Sequence, residues 1–329
     1  MTSQPIDARN CHVRYCTLFD ASYATRGLVM LDSLARESAL PFHVTILAID
    51  DLAEAILYSN MQPEWTIIRI SSLKDPELSQ LEEVRPRREF CWTAAPALLR
   101  HIVALAPANS LVGYVDADLM FFQDPIHLYN ELGHDESILI HEHRFSADRI
   151  DSESSSGRFN VGFIGIRVND ESNRCVERWR NQVIDCCELD PDRGHCGDQA
   201  YLNEWPSLYP GLHILENLGA GVAPWNLRAY RVGGKPNHPR VNGQLINFFH
   251  YHSFRSVAIE PWGFLMALPA YGYSFSPSVF LHIYRPYARR LRAWHLRLIK
   301  QGYAVTPNLV VKLREAIHGL FAFFYFPAF

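Results

Sequence analysis

The sequence predicts an α/β fold, a mostly parallel central sheet with helices on both faces, followed by a basic helical tail. Three observations predict it. Apolar runs of strand length alternate with helix-length stretches through the first half of the chain. The runs, such as "VRYCTLF", "FHVTILAI" and "LVGYV", are close to uniformly apolar, as in strands covered on both faces. With 48% hydrophobic residues in 329, the chain also has the material for a sizeable core.

Taken in order, residues 13–19 read as a first strand and 22–38 as a helix. Residues 42–49 read as a second strand, a helix starts at about Asp51, and 65–70 form a third strand. A helix near Ala94–Ala106 leads into the strand that ends at Asp116. The Ser-rich stretch 146–158 has no period and reads as a mobile loop. Residues 159–168 return to strand and 171–187 to helix, while Gly, Pro and aromatics from Asn203 to Phe275 suggest winding loops over a site. The composition shifts at Pro277, dividing the chain into a domain of residues 1–276 and an extension of residues 277–329.

The bulk numbers exclude several classes. A net charge of -4 carries no nucleic-acid signature. Seven cysteines with no CxxC pair fit a reducing compartment better than a disulfide scaffold. Cys186, Cys187, His195 and Cys196 suggest zinc by composition, but adjacent cysteines rarely chelate one tetrahedral ion together. The amino terminus lacks the apolar core of a signal peptide, and no run of about 20 apolar residues exists to span a bilayer. The expected location is cytoplasmic.

The chemistry concentrates in "GYVDADLMFFQDP", residues 113–125, where a strand runs into Asp116 and Asp118. Ligands of α/β sheets bind beyond the carboxyl ends of the strands. Two carboxylates this close resist being ionised together unless a cation neutralises them. A hard divalent ion, Mn²⁺ or Mg²⁺, suits such oxygen ligands and commonly also holds substrate phosphates. The plainer reading is a solvated turn capping a helix near Pro125. The apolar residues on both sides argue against it.

"YVDADLMFFQDP" resembles the DXD segment of nucleotide-sugar glycosyltransferases with the GT-A fold, most similar to family 8, which includes bacterial lipooligosaccharide galactosyltransferases and glycogenin. "TLFDASY" (17–23), "FNVGFIGI" (159–166), "GDQAYLN" (197–203) and "INFFHYHSFR" (246–255) resemble further family segments in the same order. The resemblance covers roughly residues 13 to 260 and implies a GT-A, Rossmann-like sheet and a metal-dependent transferase. It implies that Leu18 and Asp20 line the nucleotide, Asp20 through a hydrogen bond to the base, and that Tyr23 stacks on it. Asp116, Asp118 and His250 would hold the metal, with Asp116 against the diphosphate. Asn160, Asp198 and Gln199 would line the sugar and the reacting centre, and Arg255 would stand near the phosphates. The chain departs from the family where its arginine before DXD is expected, with only Arg88 nearby, and where Ser253 replaces a glycine.

No nucleophile stands out, since there is no G-x-S-x-G and no P-loop. A retaining front-face displacement needs none and leaves Gln199 beside the anomeric carbon. An inverting reaction needs a carboxylate base, for which Asp198 is the first candidate. His250 and His252 are expected on opposite faces of a strand. His141 and His143 have the same spacing and could face the site, with the structural reading favoured, and Trp225 and Asn226 read as either sugar contacts or core. In the tail, Leu291, Trp294 and Leu298 recur at helical spacing beside Arg289, Arg290, Arg292 and Arg297. Such a helix either lies in an anionic membrane interface or packs on the domain. The expected partners are a nucleotide-sugar, a glycan or lipid-linked acceptor and a membrane surface, with no nucleic acid. The rival readings are a sugar-phosphate nucleotidyltransferase, whose Gly-rich loop is missing, and a catalytically degenerate nucleotide-sugar-binding protein.

Overall fold

The structure, a computed structural model, describes residues 13–190, 195–259, 264–268 and 276–303. The first half runs β1 (Val13–Phe19), α1 (Ala24–Glu37), β2 (Phe42–Ala48), α2 (Asp51–Ser59), β3 (Trp65–Ile68), α3 (Pro76–Leu81) and α4 (Arg87–Leu105). It continues through β4 (Leu111–Val115), β5 (Leu119–Phe121), α5 (Ile126–Tyr129), β6 (Ile138–Glu142), α6 (Ser152–Ser156), β7 (Phe159–Arg167) and α7 (Asp170–Asp185). After β8 (Leu189–Asp190), β9 (His195–Cys196), α8 (Trp205–Leu208) and β10 (Leu212–Ile214), three short strands follow: β11 (Val232–Lys235), β12 (His238–Val241) and β13 (Gln244–Leu245). The described chain closes with β14 (Phe248–His250), β15 (Arg255–Ile259), β16 (Phe264–Leu268), α9 (Pro277–Val279) and α10 (Arg285–Lys300).

Seven strands form the central sheet in the order β10-β6-β7-β4-β1-β2-β3. All neighbours pair parallel except β7, which runs antiparallel to both β4 and β6. This is the mostly parallel α/β sheet that the apolar runs predict, with a helix after it. The runs have their composition because apolar layers cover both faces: one includes Val29, Val44, Ile46 and Phe163, the other Leu47, Leu98, Val112 and Ile164. The sheet direction matters for function. The carboxyl ends of β1, β2, β4 and β6 and the amino end of antiparallel β7 all meet at one edge. Asp20, Asp50, Asp116, His143 and Asn160 therefore converge from segments far apart in sequence.

Several local expectations change. α4 begins at Arg87 and carries Pro96 inside it, so it is longer than the apolar pattern of Ala94–Ala106 indicates. The stretch 146–158 contains a turn of 3-10 helix and α6, which Gly157 ends at φ 83°. Within 203–275, β11, β12 and β13 make an antiparallel ribbon, and β14 pairs with β5.

The tail also differs. Tyr287, Leu291, Trp294 and Leu298 are buried in the same core as α1, and α10 packs along α1. Trp294 Nε1 donates to Asp32 Oδ2 at 2.5 Å, and Asn60 and Gln301 exchange two amide hydrogen bonds of 3.1 Å each. The apolar face read as a possible membrane contact is thus covered by the chain itself. Its leucines and tryptophan gain more from the core than from a polar interface. Residues 304–329 lie outside the described residues. Among the described residues, no helix is long and apolar enough to cross a membrane.

Candidate metal and nucleotide site

β4 carries Asp116 and Asp118 out of the sheet, and the chain turns straight into β5. β14 pairs with β5 in the register His250↔Leu119, which lays His250 against the two acids. Backbone bonds hold the strand on both sides: Tyr251 N–H to Asp118 O at 2.9 Å, next to β5, and His250 N–H to Val222 O at 2.9 Å. His250 Nε2 then lies 3.0 Å from Asp118 Oδ1 and 3.7 Å from Asp116 Oδ2. One ligand atom from each of the three residues falls within 4.8 Å of the others. Two carboxylate oxygens and an imidazole nitrogen this close form a donor set that fits Mn²⁺ or Mg²⁺.

Asn160 holds the imidazole in place. Its Oδ1 accepts the Gly162 backbone N–H at 3.0 Å, so the oxygen side of the amide faces His250. The 3.1 Å contact between Asn160 Oδ1 and His250 Nδ1 therefore has Nδ1 as donor, which leaves Nε2 facing the carboxylates. Gly162 makes room for this pair: a Cβ there would sit 2.8 Å from both Asn160 Oδ1 and His250 Nδ1. The glycine of "FNVG" is required by the site. The other half of the Asn160 amide donates to Gln199 Oε1 and pairs with His143 Nε2, each at 3.2 Å.

The charges divide as the donor set requires. Burial pushes Asp116 up to about 6, reinforced by the charge of Asp118 and opposed by His250 and by the Tyr114 hydroxyl, which donates to Asp116 Oδ1 at 2.9 Å. Burial also acts against the Asp118 carboxylate, but the charge and hydrogen bond of His250 outweigh it and hold Asp118 down at about 2. Burial works to lower His250, yet Asp118 and Asp116 overcome it and raise the imidazole above its ordinary value. Without metal, the acid pair favours the protonated form of His250.

A pH dependence follows. A raised imidazole stabilises the metal-free fold fully below its unfolded value, and that contribution is lost as pH rises through the folded value. A metal ion must displace this proton, and below about pH 6 the one on Asp116 as well. Mn²⁺ affinity is therefore expected to climb by about tenfold per pH unit while His250 stays protonated, then level off. Calorimetric titrations across about pH 6 to 8, repeated in buffers of different ionisation enthalpy, measure both affinity and protons released. A flat profile with no proton release would remove His250 from the ligand set.

The segment expected to hold the base lies after β1. Asp20 Oδ1 accepts from Ser22 N at 3.0 Å, Ser22 Oγ at 2.7 Å and Tyr23 N at 3.2 Å, which closes the turn into α1. The Leu18 side chain is buried in the apolar layer with α4. Tyr23 is 40% exposed, with the Arg26 guanidinium 4.6 Å from its ring centre. Arg26 also donates to Phe254 O at 2.9 Å, and its charge acts on Asp118. Asp198 is buried, and burial, followed by the charge of Asp116, pushes its carboxyl well above the ordinary range. That direction opposes an ionised base. Gln199 sits between the Asn160 amide and Ser156 O, to which it donates at 2.8 Å.

Of the sequence candidates, Asp116, Asp118, His250, Asn160 and Gln199 thus form one connected group. The Arg255 side chain, like those of His195 and Cys196, lies outside the described residues. Trp225 and Asn226 are buried and donate to His143 O at 2.9 and 2.8 Å, which makes them supports behind the site. His252 does not point away from His250. β14 ends at His250, and the following turn brings the two rings to 5.9 Å, both beside Trp225. Arg88 stacks over Trp92.

The sequence reading misses Tyr114 and Arg26, and it favours a structural role for His143, which pairs with the Asn160 amide. Tyr114 was detectable, since it precedes Asp116 by two residues and so shares its strand face. Arg26 falls one helical turn after Tyr23.

No family model matches the chain. Over 282 residues it is 29% identical to "Uncharacterized protein YfnD" of Bacillus subtilis (strain 168), spanning 85% of this chain and 89% of that one. Among solved structures it is similar to the galactosyltransferase LgtC in complex with donor and acceptor sugar analogs, with a TM-score of 0.47 at 14% identity, covering 85% of this chain and 95% of that one. It is also similar to the glycosyltransferase GlyE of Streptococcus pneumoniae TIGR4, with a TM-score of 0.48 at 14% identity over 92% of this chain and 67% of that one.

Proposed function

We propose that this protein is a metal-dependent GT-A glycosyltransferase that transfers a hexose from a UDP-sugar to a glycan or glycolipid acceptor in bacterial surface polysaccharide synthesis. The observation that carries the reading is the Asp116–Asp118–His250 group at the end of β4, beside the Asp20–Tyr23 turn at the end of β1. A site with ligands for a divalent ion at one strand end and an exposed tyrosine ring at the next suits the chemistry of a nucleoside diphosphate. A bound Mn²⁺ or Mg²⁺ supplies charge neutralisation for the departing diphosphate. The chain's residues do the rest in this reading. Asp20 and Tyr23 hold the uracil, Arg26 and Arg255 face phosphate oxygens, and Asn160 and Gln199 orient the sugar. A retaining course is favoured because burial pushes the Asp198 carboxyl well above its ordinary range, which opposes its use as an ionised base.

The test is a screen of nucleotide-sugars for hydrolysis and thermal stabilisation with and without Mn²⁺. UDP-sugars should be cleaved only with metal, and UDP should stabilise the protein more than GDP or CDP. Pyrophosphorolysis of a nucleotide-sugar would instead indicate a nucleotidyltransferase, and stabilisation without turnover a degenerate binding protein. No response to any nucleotide with metal would end the proposal.

The location proposed is the cytoplasmic face of the membrane, by peripheral attachment. The support is the outward side of the terminal helical segment, where Arg289 and Lys300 are exposed beside Leu281, Leu296 and Ile299, which are 41%, 50% and 49% exposed. Each basic residue near an anionic leaflet contributes about 1 kcal/mol, screened by salt. The full chain should co-sediment with anionic liposomes at low salt and be released as salt rises. Equal recovery with neutral liposomes, or none with anionic ones, would take the membrane out of the reading.

A further inference from the structure

We infer that Tyr287, delivered by α10, completes the diphosphate-binding side of the site together with Arg26. The inference rests on the nucleotide reading above and assigns the part of the donor that these two residues serve. Tyr287 stacks on Tyr251 with ring centres 3.5 Å apart and planes at 7°, and meets Phe254 edge-on at 5.2 Å. Tyr251 N–H donates to Asp118 O, so the stack fixes Tyr287 one ring away from the loop that carries the metal ligands.

The two stacked tyrosines differ in their hydroxyls. Tyr251 donates to Ile283 O at 2.9 Å, an ordinary structural bond. The Tyr287 hydroxyl is buried and has no hydrogen-bond partner among the described residues. An unpaired buried hydroxyl is costly, and packing alone would be served as well by phenylalanine. The groups whose charges reach it are Arg26, Asp118 and Tyr23, all from the site. Arg26 is held by Phe254 O and, at 3.5 Å, by Ser22 O, which occupies only part of its donor fork. A buried phenol packed on Tyr251, whose backbone bonds the loop of the metal ligands, and a guanidinium with donors to spare suit an anion bridged to that metal. A diphosphate is such an anion. The helix read from the sequence as a membrane-surface or packing element thereby becomes one wall of the site.

Tyr287→Phe in the full-length protein tests this, with titrations of UDP and of inorganic pyrophosphate in the presence of Mn²⁺. The metal-free melting temperature should hold or rise, because only an unpaired hydroxyl is removed. Affinity should fall about tenfold for both anions, because the diphosphate is what they share. Tyr251→Phe, which loses the Ile283 bond, should lower the melting temperature instead. Unchanged affinity in Tyr287→Phe, a loss confined to UDP, or a fall in melting temperature matching that of Tyr251→Phe would each overturn the inference. If the wild-type protein itself binds neither anion with Mn²⁺, the functional reading fails first, and this inference falls with it.

Discussion

Asp118→Asn and His250→Ala should each lower the affinity for Mn²⁺ in the presence of UDP by at least about a hundredfold, the upper end of what losing a mere outer-shell partner costs. The expectation follows from how unequal the three ligands are. Asp118 is held down at about 2 and stays ionised at any working pH, whereas Asp116 is pushed up to about 6. Asp118 is therefore the anchoring charge. Asparagine keeps its shape and removes that charge, so a loss in this variant reports ligation and not packing. His250→Ala removes the nitrogen ligand and leaves the two acids to repel each other at close range. Calorimetry with Mn²⁺, with and without UDP, checks both. If both variants bind as tightly as the wild type while remaining folded, the metal assignment fails. Asn160→Asp offers a finer control. It keeps an acceptor for His250 Nδ1 but loses the donors to Gln199 and His143, so it should impair turnover more than metal affinity.

How much of this was legible in the sequence depends on what holds each part in place. β1, β2, β4 and β7 fall within a residue or two of their apolar runs, because strands buried on both faces record their burial in composition. The ribbon β11–β12–β13 left no such record. Its strands are two to four residues long, and only their mutual pairing defines them. β14 is a three-residue strand whose register depends on β5, about 130 positions earlier. The acids were visible from their place at a strand end, and His250 through the family resemblance of its segment. The Asn160–His250 bond, the Tyr114–Asp116 bond and the unpaired Tyr287 hydroxyl arise from contacts between distant segments. No local pattern encodes those contacts.

The tail shows the same limit with the larger energetic consequence: a chain ending at residue 275 is expected not to fold. On sequence grounds alone, every donor-site candidate precedes that point, and the truncated protein would be expected to keep its chemistry. Tyr287, Leu291, Trp294 and Leu298 are all buried in the core that includes α1. At about 1.5–3 kcal/mol for each large apolar side chain, these four contribute roughly 6–12 kcal/mol. That is the size of a typical domain's whole stability, about 5–15 kcal/mol. Truncation would also strip the cover from α1 and break the Asn60–Gln301 pair, exposing an apolar face that favours aggregation. A milder variant separates packing from folding. Trp294→Ala in the full chain should cost about 3–5 kcal/mol, read from the denaturant midpoint. It should leave the outward arginines and lysine, and so any liposome binding, in place. Should the chain ending at 275 instead stay soluble, melt cooperatively and bind Mn²⁺–UDP like the full-length protein, α10 would be an appendage and its role as a wall of the site would be lost as well.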